Sequence, residues 1–105
     1  MGKKFDLGRV VKFIEKDRFL VSNHARIRMF QMNVTTDDVK DIIIRGQVIE
    51  DYSDFPCPSA LFLAFLHKSP FHVVVANCVD HVRVVTIYKP EETKWIDYRT
   101  RRKKI

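Results

Sequence analysis

At Gly46 the hydrophobic pattern of this chain changes period, and that change restricts the fold more than any other feature. Before Gly46, apolar residues recur at helical spacing. After it, they come in short, β-branched, nearly continuous runs. Helices first and strands after point to an α+β domain and away from alternating βαβ units. The chain has 105 residues, 46% of them hydrophobic. That is enough for one domain with its own core.

The helical half divides into three. Phe5 to Phe19 carries Val10, Val11, Phe13 and Ile14 on one face, with Asp6 as a candidate N-cap. Leu20-Val21 reads as a short apolar link. Ser22 or Asn23 then caps a second helix running to about Met32, with Ala25, Met29 and Met32 toward the core. Asn33 suits the left-handed residue that ends a helix. Thr35-Thr36-Asp37-Asp38 opens the third helix, where hydroxyl caps and carboxylates meet the positive end of the dipole. Val39, Ile42 and Ile43 bury one side, and Gly46 is expected to close the helix with a positive φ.

Four strands are predicted next: Gln47–Tyr52, Ala60–His67, Phe71–Asn77 and Val82–Tyr88. The connections are short, so neighbours should run antiparallel in a meander, with the N-terminal helices packed on the sheet. Both faces of the ALFLAFLH strand are apolar. The helices can cover one face; a loop, the C-terminal segment or a second copy in a homodimer must cover the other. Residues 1–93 are read as the domain and 94–105 as a basic tail.

Charge is concentrated in that tail. Six basic residues, Lys94, Arg99, Arg101, Arg102, Lys103 and Lys104, stand against Asp97, a net +5 out of the chain's +6. Such a segment is either a solvated end or an electrostatic footprint for a phosphate backbone. The RNA-contacting candidates are therefore Arg99, Arg101, Arg102, Lys103 and Lys104. No apolar run approaches the roughly 20 residues that span a bilayer. The start of the chain lacks the apolar block of a secretory signal, so a cytoplasmic location is expected. There, Cys57 and Cys78 should be ordinary thiols, since disulfides are rare in that compartment. Neither Cys-x-x-Cys nor His-x-x-x-His spacing occurs, so no metal and no cofactor is expected.

The chemistry-bearing residues are few. His24 and Arg28 are one helical turn apart and share a face beside the apolar stripe. His72 opens the third predicted strand. If it pairs across to Thr86 or Tyr88, three polar groups converge on one end of one sheet face. Strand parity puts Val84 on that face with Thr86 and Tyr88, and Val85 on the other. Imidazoles exchange protons near neutral pH, and a guanidinium grips phosphate with paired hydrogen bonds. Each residue also has a structural reading: His72 as a hydrogen-bonded core histidine, Arg28 paired with Glu50 or Asp51, Tyr88 packed with its hydroxyl in water, Trp95 over a sheet end.

These residues also resemble a family. Ser22-x-His24-Ala25-x-x-Arg28-Met29, Asp38-Val39, Gly46-x-Val48-Ile49-Glu50-Asp51-Tyr52, Pro56-x-Pro58-Ser59, His72-Val-Val-Val-Ala76, Thr86-x-Tyr88-x-Pro90 and Trp95 look like the bacterial domain-of-unknown-function family 4258. Two stretches depart from its pattern. Gln31-Met32-Asn33-Val34 stands where the family has Glu-Arg-Gly-Ile, and Lys68-Ser69-Pro70-Phe71 where it has Gly-Arg-Pro-Leu. That family is similar to the RelE/ParE-like toxin superfamily. The resemblance implies a RelE-like fold and the toxin of a type II toxin–antitoxin system, cleaving messenger RNA as a metal-independent endoribonuclease. It implies a cognate antitoxin, of the zinc-finger MqsA type, and a catalytic set of His24, Arg28, His72, Thr86 and Tyr88. The alternatives are a non-enzymatic module that inhibits a protein such as gyrase, and a degenerate or regulatory domain.

Overall fold

A computed structural model of the chain describes residues 5–52 and 57–102. The elements are α1 (Leu7–Glu15), β1 (Phe19–Val21), α2 (Asn23–Met32), α3 (Thr36–Arg45), β2 (Gln47–Tyr52), β3 (Ser59–Leu66), β4 (Ser69–Asn77), β5 (Val82–Tyr88), β6 (Trp95–Ile96) and β7 (Thr100–Arg101). No helix among the described residues is long and apolar enough to cross a membrane.

Each helix starts where a short polar side chain accepts an orphan backbone N–H. Asp6 accepts from Arg9, Ser22 from Ala25, and Thr35 from Asp38, whose carboxylate returns a bond to the Thr35 N–H. Asn33 closes α2 at φ 56°. Gly46 behaves differently from the expectation. Its φ is −74°, open to any residue, and the reason for glycine is space. A Cβ there would lie 2.2 Å from the Ile42 carbonyl oxygen and 3.0 Å from that of Leu63.

The main sheet has five strands in the order β1-β5-β4-β3-β2. The meander β2–β5 is antiparallel as its short turns require, but β1 adds a parallel strand at the β5 edge. The segment read as an apolar link is that strand: Phe19 pairs with Val82 and Val21 with Val84. The sheet is therefore mixed. Three residues are too few for an alternating signal to stand out in sequence.

One sheet face, with Ala60, Phe62, Val73, Val75, Val84 and Ile87, packs into a single buried cluster with the apolar stripes of the three helices. The other face carries Leu61, Leu63, His72 and Ala76, which are buried outside that cluster. The β6–β7 hairpin covers part of it. Trp95 meets His72 edge-on at 4.5 Å between ring centroids, and Tyr98 meets Phe65 at 6.1 Å. The segment from Lys94 to Arg102 thus folds back onto the sheet that needed a cover.

Two bulges decide which side chains look toward the hairpin. In β5 the partner of Val74 is Thr86 but that of Val75 is Val84, so Val85 is an extra residue. Val84 then faces the helices while Thr86 and Tyr88 face the hairpin, which corrects the simple parity assignment. In β2 the extra residue is Ile49, which lets Gln47, Glu50 and Tyr52 all look toward the hairpin side.

The cysteines also differ from the expectation of two free thiols. Cys57 and Cys78 form a disulfide with Cα atoms 4.8 Å apart. The cause is register. Ser59 pairs with Ala76, and Asn77 N–H bonds to the Pro58 carbonyl at 2.8 Å, so continuing the ladder two residues sets Cys57 opposite Cys78.

Candidate functional site

β1 ends opposite Val84, which leaves the β5 edge beyond it without a strand neighbour. The polar face of α2 supplies the missing partners. Ser22 Oγ donates to the Val85 carbonyl at 2.8 Å, and Arg28 Nε reaches the Ile87 carbonyl at 3.5 Å. Between them His24 Nε2 lies 3.0 Å from Thr86 Oγ1. The i, i+4 spacing of His24 and Arg28 thus matches the rise of β5 along which they lie. His24 is exposed and Arg28 half-buried. Arg28 lines a cleft of about 330 Å³ with Tyr88, Lys89, Lys94, Trp95 and Arg101; among the described residues Glu91 is its one acidic wall residue.

His72 is fully buried, opposite Tyr88 across β4 and β5. Its Nε2 is 2.6 Å from the Tyr98 carbonyl oxygen and its Nδ1 is 3.2 Å from Tyr88 Oη. A carbonyl only accepts, so Nε2 carries the proton and Nδ1 accepts the Tyr88 hydroxyl. Burial lowers the His72 pKa against the opposing pull of the Tyr98 carbonyl and the Glu50 charge. The ring is therefore neutral at pH 7. Burial likewise raises the Tyr88 pKa, which keeps its hydroxyl protonated.

The basic segment is occupied by the fold. Arg101 forks onto Glu50 at 2.9–3.2 Å, stacks 4.6 Å over Trp95 and reaches Tyr52 Oη. Arg99 bonds Gln47 Oε1 and the Asp97 carbonyl, and Arg102 bonds the Glu92 carbonyl. Lys103 and Lys104 lie outside the described residues. Glu50, a candidate partner for Arg28, belongs to Arg101. Burial alone would raise the Glu50 pKa, but the hydrogen bonds from Arg101 and Tyr52 hold it below the usual carboxylate range. Burial and that bond to Glu50 push the Tyr52 hydroxyl up to about 12.

The five candidate residues thus form two hydrogen-bonded pairs, His24–Thr86 and His72–Tyr88, with Arg28 beside them. Thr86 and Tyr88 are successive residues on one strand face, about 7 Å apart along the strand. Sequence reasoning missed the Tyr98 carbonyl and the Glu50–Tyr52–Arg101 cluster. The first is a backbone group with no residue signature, and the second depends on the bulge at Ile49. Among the described residues no group of three His, Cys, Asp or Glu is placed to hold a metal ion.

The profile of the domain-of-unknown-function family DUF4258 matches residues 21–89. All five candidates fall inside the matched span, while Trp95, Tyr98 and Arg101 lie beyond it. No curated protein matches the chain.

Proposed function

The chain belongs to the domain-of-unknown-function family 4258, and from the chemistry of its two histidine–hydroxyl pairs we propose that it is a metal-independent endoribonuclease acting on messenger RNA. In this reading it is the toxin of a type II toxin–antitoxin pair, and its cognate antitoxin shields the same face. The observation that carries the proposal is the placing of His24–Thr86 and His72–Tyr88 on one strand face beside Arg28.

The reaction is transfer of the phosphoryl group to the neighbouring 2′-oxygen. Tyr88 Oη takes the 2′-hydroxyl proton as its own proton passes to His72 Nδ1. The imidazolium then donates from both nitrogens, to Tyr88 and to the Tyr98 carbonyl, with no unpaired N–H. The 2′-oxygen bonds to phosphorus while the bond to the 5′-oxygen breaks. His24, steadied by Thr86, gives the leaving oxygen a proton. Arg28 faces the charge that builds on phosphorus in the transition state. The products are a 2′,3′-cyclic phosphate and a 5′-hydroxyl. In this scheme His72 acts through Tyr88 and is a positioning and relay residue, not one that touches RNA.

A purified sample incubated with single-stranded RNA in excess EDTA tests the proposal. Cleavage ends bearing 2′,3′-cyclic phosphate are expected, reduced by about a hundredfold or more in folded His24→Ala and Tyr88→Phe. No cleavage by the wild type, or unchanged cleavage in both variants, would sink it. A second reading, inhibition of a protein target such as gyrase, has one observation in its favour. Ile27 and Phe30, adjacent on the outer face of α2, are 60% and 89% exposed. That reading expects activity to survive His24→Ala and to fail in Phe30→Ser.

A further inference from the structure

A second concavity lies on the hairpin side of the sheet, joined to the cleft at Arg101. Its volume is about 560 Å³, well within the range of roughly 300–1,000 Å³ typical of small-ligand sites. Val74, Ala76, Val85 and the Cys57–Cys78 disulfide make an apolar lining. Thr86, the hydroxyl that holds His24, is part of its wall. Two guanidiniums, Arg83 and Arg101, border it, and among the described residues no carboxylate lines it. Among the described residues Arg83 has no ion-pair partner.

We propose that this concavity is a nucleobase subsite, taking the base of one nucleotide while Arg83 and the Arg101 Nη1, the nitrogen that the fork onto Glu50 leaves unused among the described residues, hold its phosphate. The inference rests on the ribonuclease reading and extends it to substrate positioning. Its warrant is complementarity of two kinds. A nucleotide offers a flat, weakly polar ring and a phosphate of fixed reach. The concavity offers apolar walls beside the Arg83 guanidinium and the outer edge of Arg101, which also holds Glu50, directly next to the strand position where Thr86 and His24 meet. Single-stranded nucleic acid is held in this way, by surfaces that bury bases beside a charged track for the backbone. An aliphatic carboxylate would use the apolar walls and one cation but not both. Inorganic phosphate would use the cations alone. The hydroxyls on its wall, Tyr52, Ser59 and Thr86, are already bonded to Glu50, the Cys57 carbonyl and His24, so purine and pyrimidine should both enter.

The test is titration of the full oxidised chain with adenosine monophosphate, uridine monophosphate, inorganic phosphate and decanoate, followed by calorimetry and amide NMR. Both nucleotides should bind saturably and perturb Val74, Ala76 and Val85, at least about tenfold more tightly than phosphate or decanoate. Ala76→Phe, which fills the concavity, should abolish the difference. Val85→Glu sits at an exposed position, keeps the fold if Ala76→Phe does not, and should weaken nucleotide binding by about tenfold or more. Nucleotides that bind no better than phosphate, decanoate that binds as well, or nucleotide affinity unchanged in Val85→Glu would each overturn the subsite. The binding assay requires no cleavage. Nucleotide binding in a chain that leaves RNA intact would refute the ribonuclease and keep the subsite; cleavage with no nucleotide binding would do the reverse.

Discussion

Replacing His72 with alanine should detach the C-terminal hairpin before it unfolds the domain. His72 is 0% exposed and holds two bonds, to the Tyr98 carbonyl and the Tyr88 hydroxyl. Each such bond contributes about 1 kcal/mol net. The edge-on contact with Trp95 adds roughly 0.5–1.5 kcal/mol. The imidazole also leaves a void, although Tyr88 and Tyr98 are half-buried and water can reach part of it. A loss of about 3 kcal/mol is expected, or a fall in Tm of roughly 10–20 °C for a domain of this size. Trp95 is the sole tryptophan and is 4% exposed, so its fluorescence reports on the hairpin alone. In urea, Trp95 emission of His72→Ala should shift red before the far-ultraviolet circular dichroism changes. His72→Gln, which keeps a donor and an acceptor, should recover part of the loss. A loss below about 0.5 kcal/mol, or Trp95 emission that moves only with global unfolding, would refute the role given to His72.

Stability should also depend on pH through His72, whose folded pKa lies below its ordinary value of 6.5. The unfolded chain then binds a proton more readily, so this contribution is complete above pH 6.5 and is lost as pH falls toward the folded pKa. Melting curves of wild type and His72→Gln should diverge above pH 6.5 and converge below it. Gly46→Ala should cost about 1–3 kcal/mol, because the added methyl meets two backbone carbonyls that cannot swing aside; urea titration would show a neutral change if the close approach is not real. Cys78→Ser removes a crosslink spanning 21 residues and should cost about 3 kcal/mol by chain entropy. Equal stability of oxidised and reduced wild type would contradict that.

The helices were readable because their signals are local. Asp6, Ser22 and Thr35 are side chains that cap the residues next to them in sequence, and Val39, Ile42 and Ile43 repeat at the helical period. The meander followed from turn chemistry; hairpin parity left His72 opposite either Thr86 or Tyr88, and the partner is Tyr88. What escaped was set by tertiary placement. β1 is too short to alternate, and it forms because Phe19 and Val21 add to a core built by distant strands. The bulges at Ile49 and Val85 insert one residue each and so reverse the facing of everything on one side of them. The disulfide follows from β3–β4 register, which cysteine spacing alone does not encode. In the candidate site, the His24–Arg28 face was legible as a helical pair. That Thr86 would receive His24, and that Arg101 and not Arg28 would take Glu50, required the bulges and the folded-back hairpin.

The most direct test of the ribonuclease is expression of wild type and His24→Ala at equal abundance in a bacterial host lacking the antitoxin, with cyclic-phosphate RNA ends mapped across the transcriptome. His24 is exposed, so its replacement should leave the fold intact. Growth arrest with new 2′,3′-cyclic phosphate ends in messenger RNA for the wild type, and neither for His24→Ala, is the result predicted. Arrest with intact RNA, or the same ends from both proteins, would contradict it.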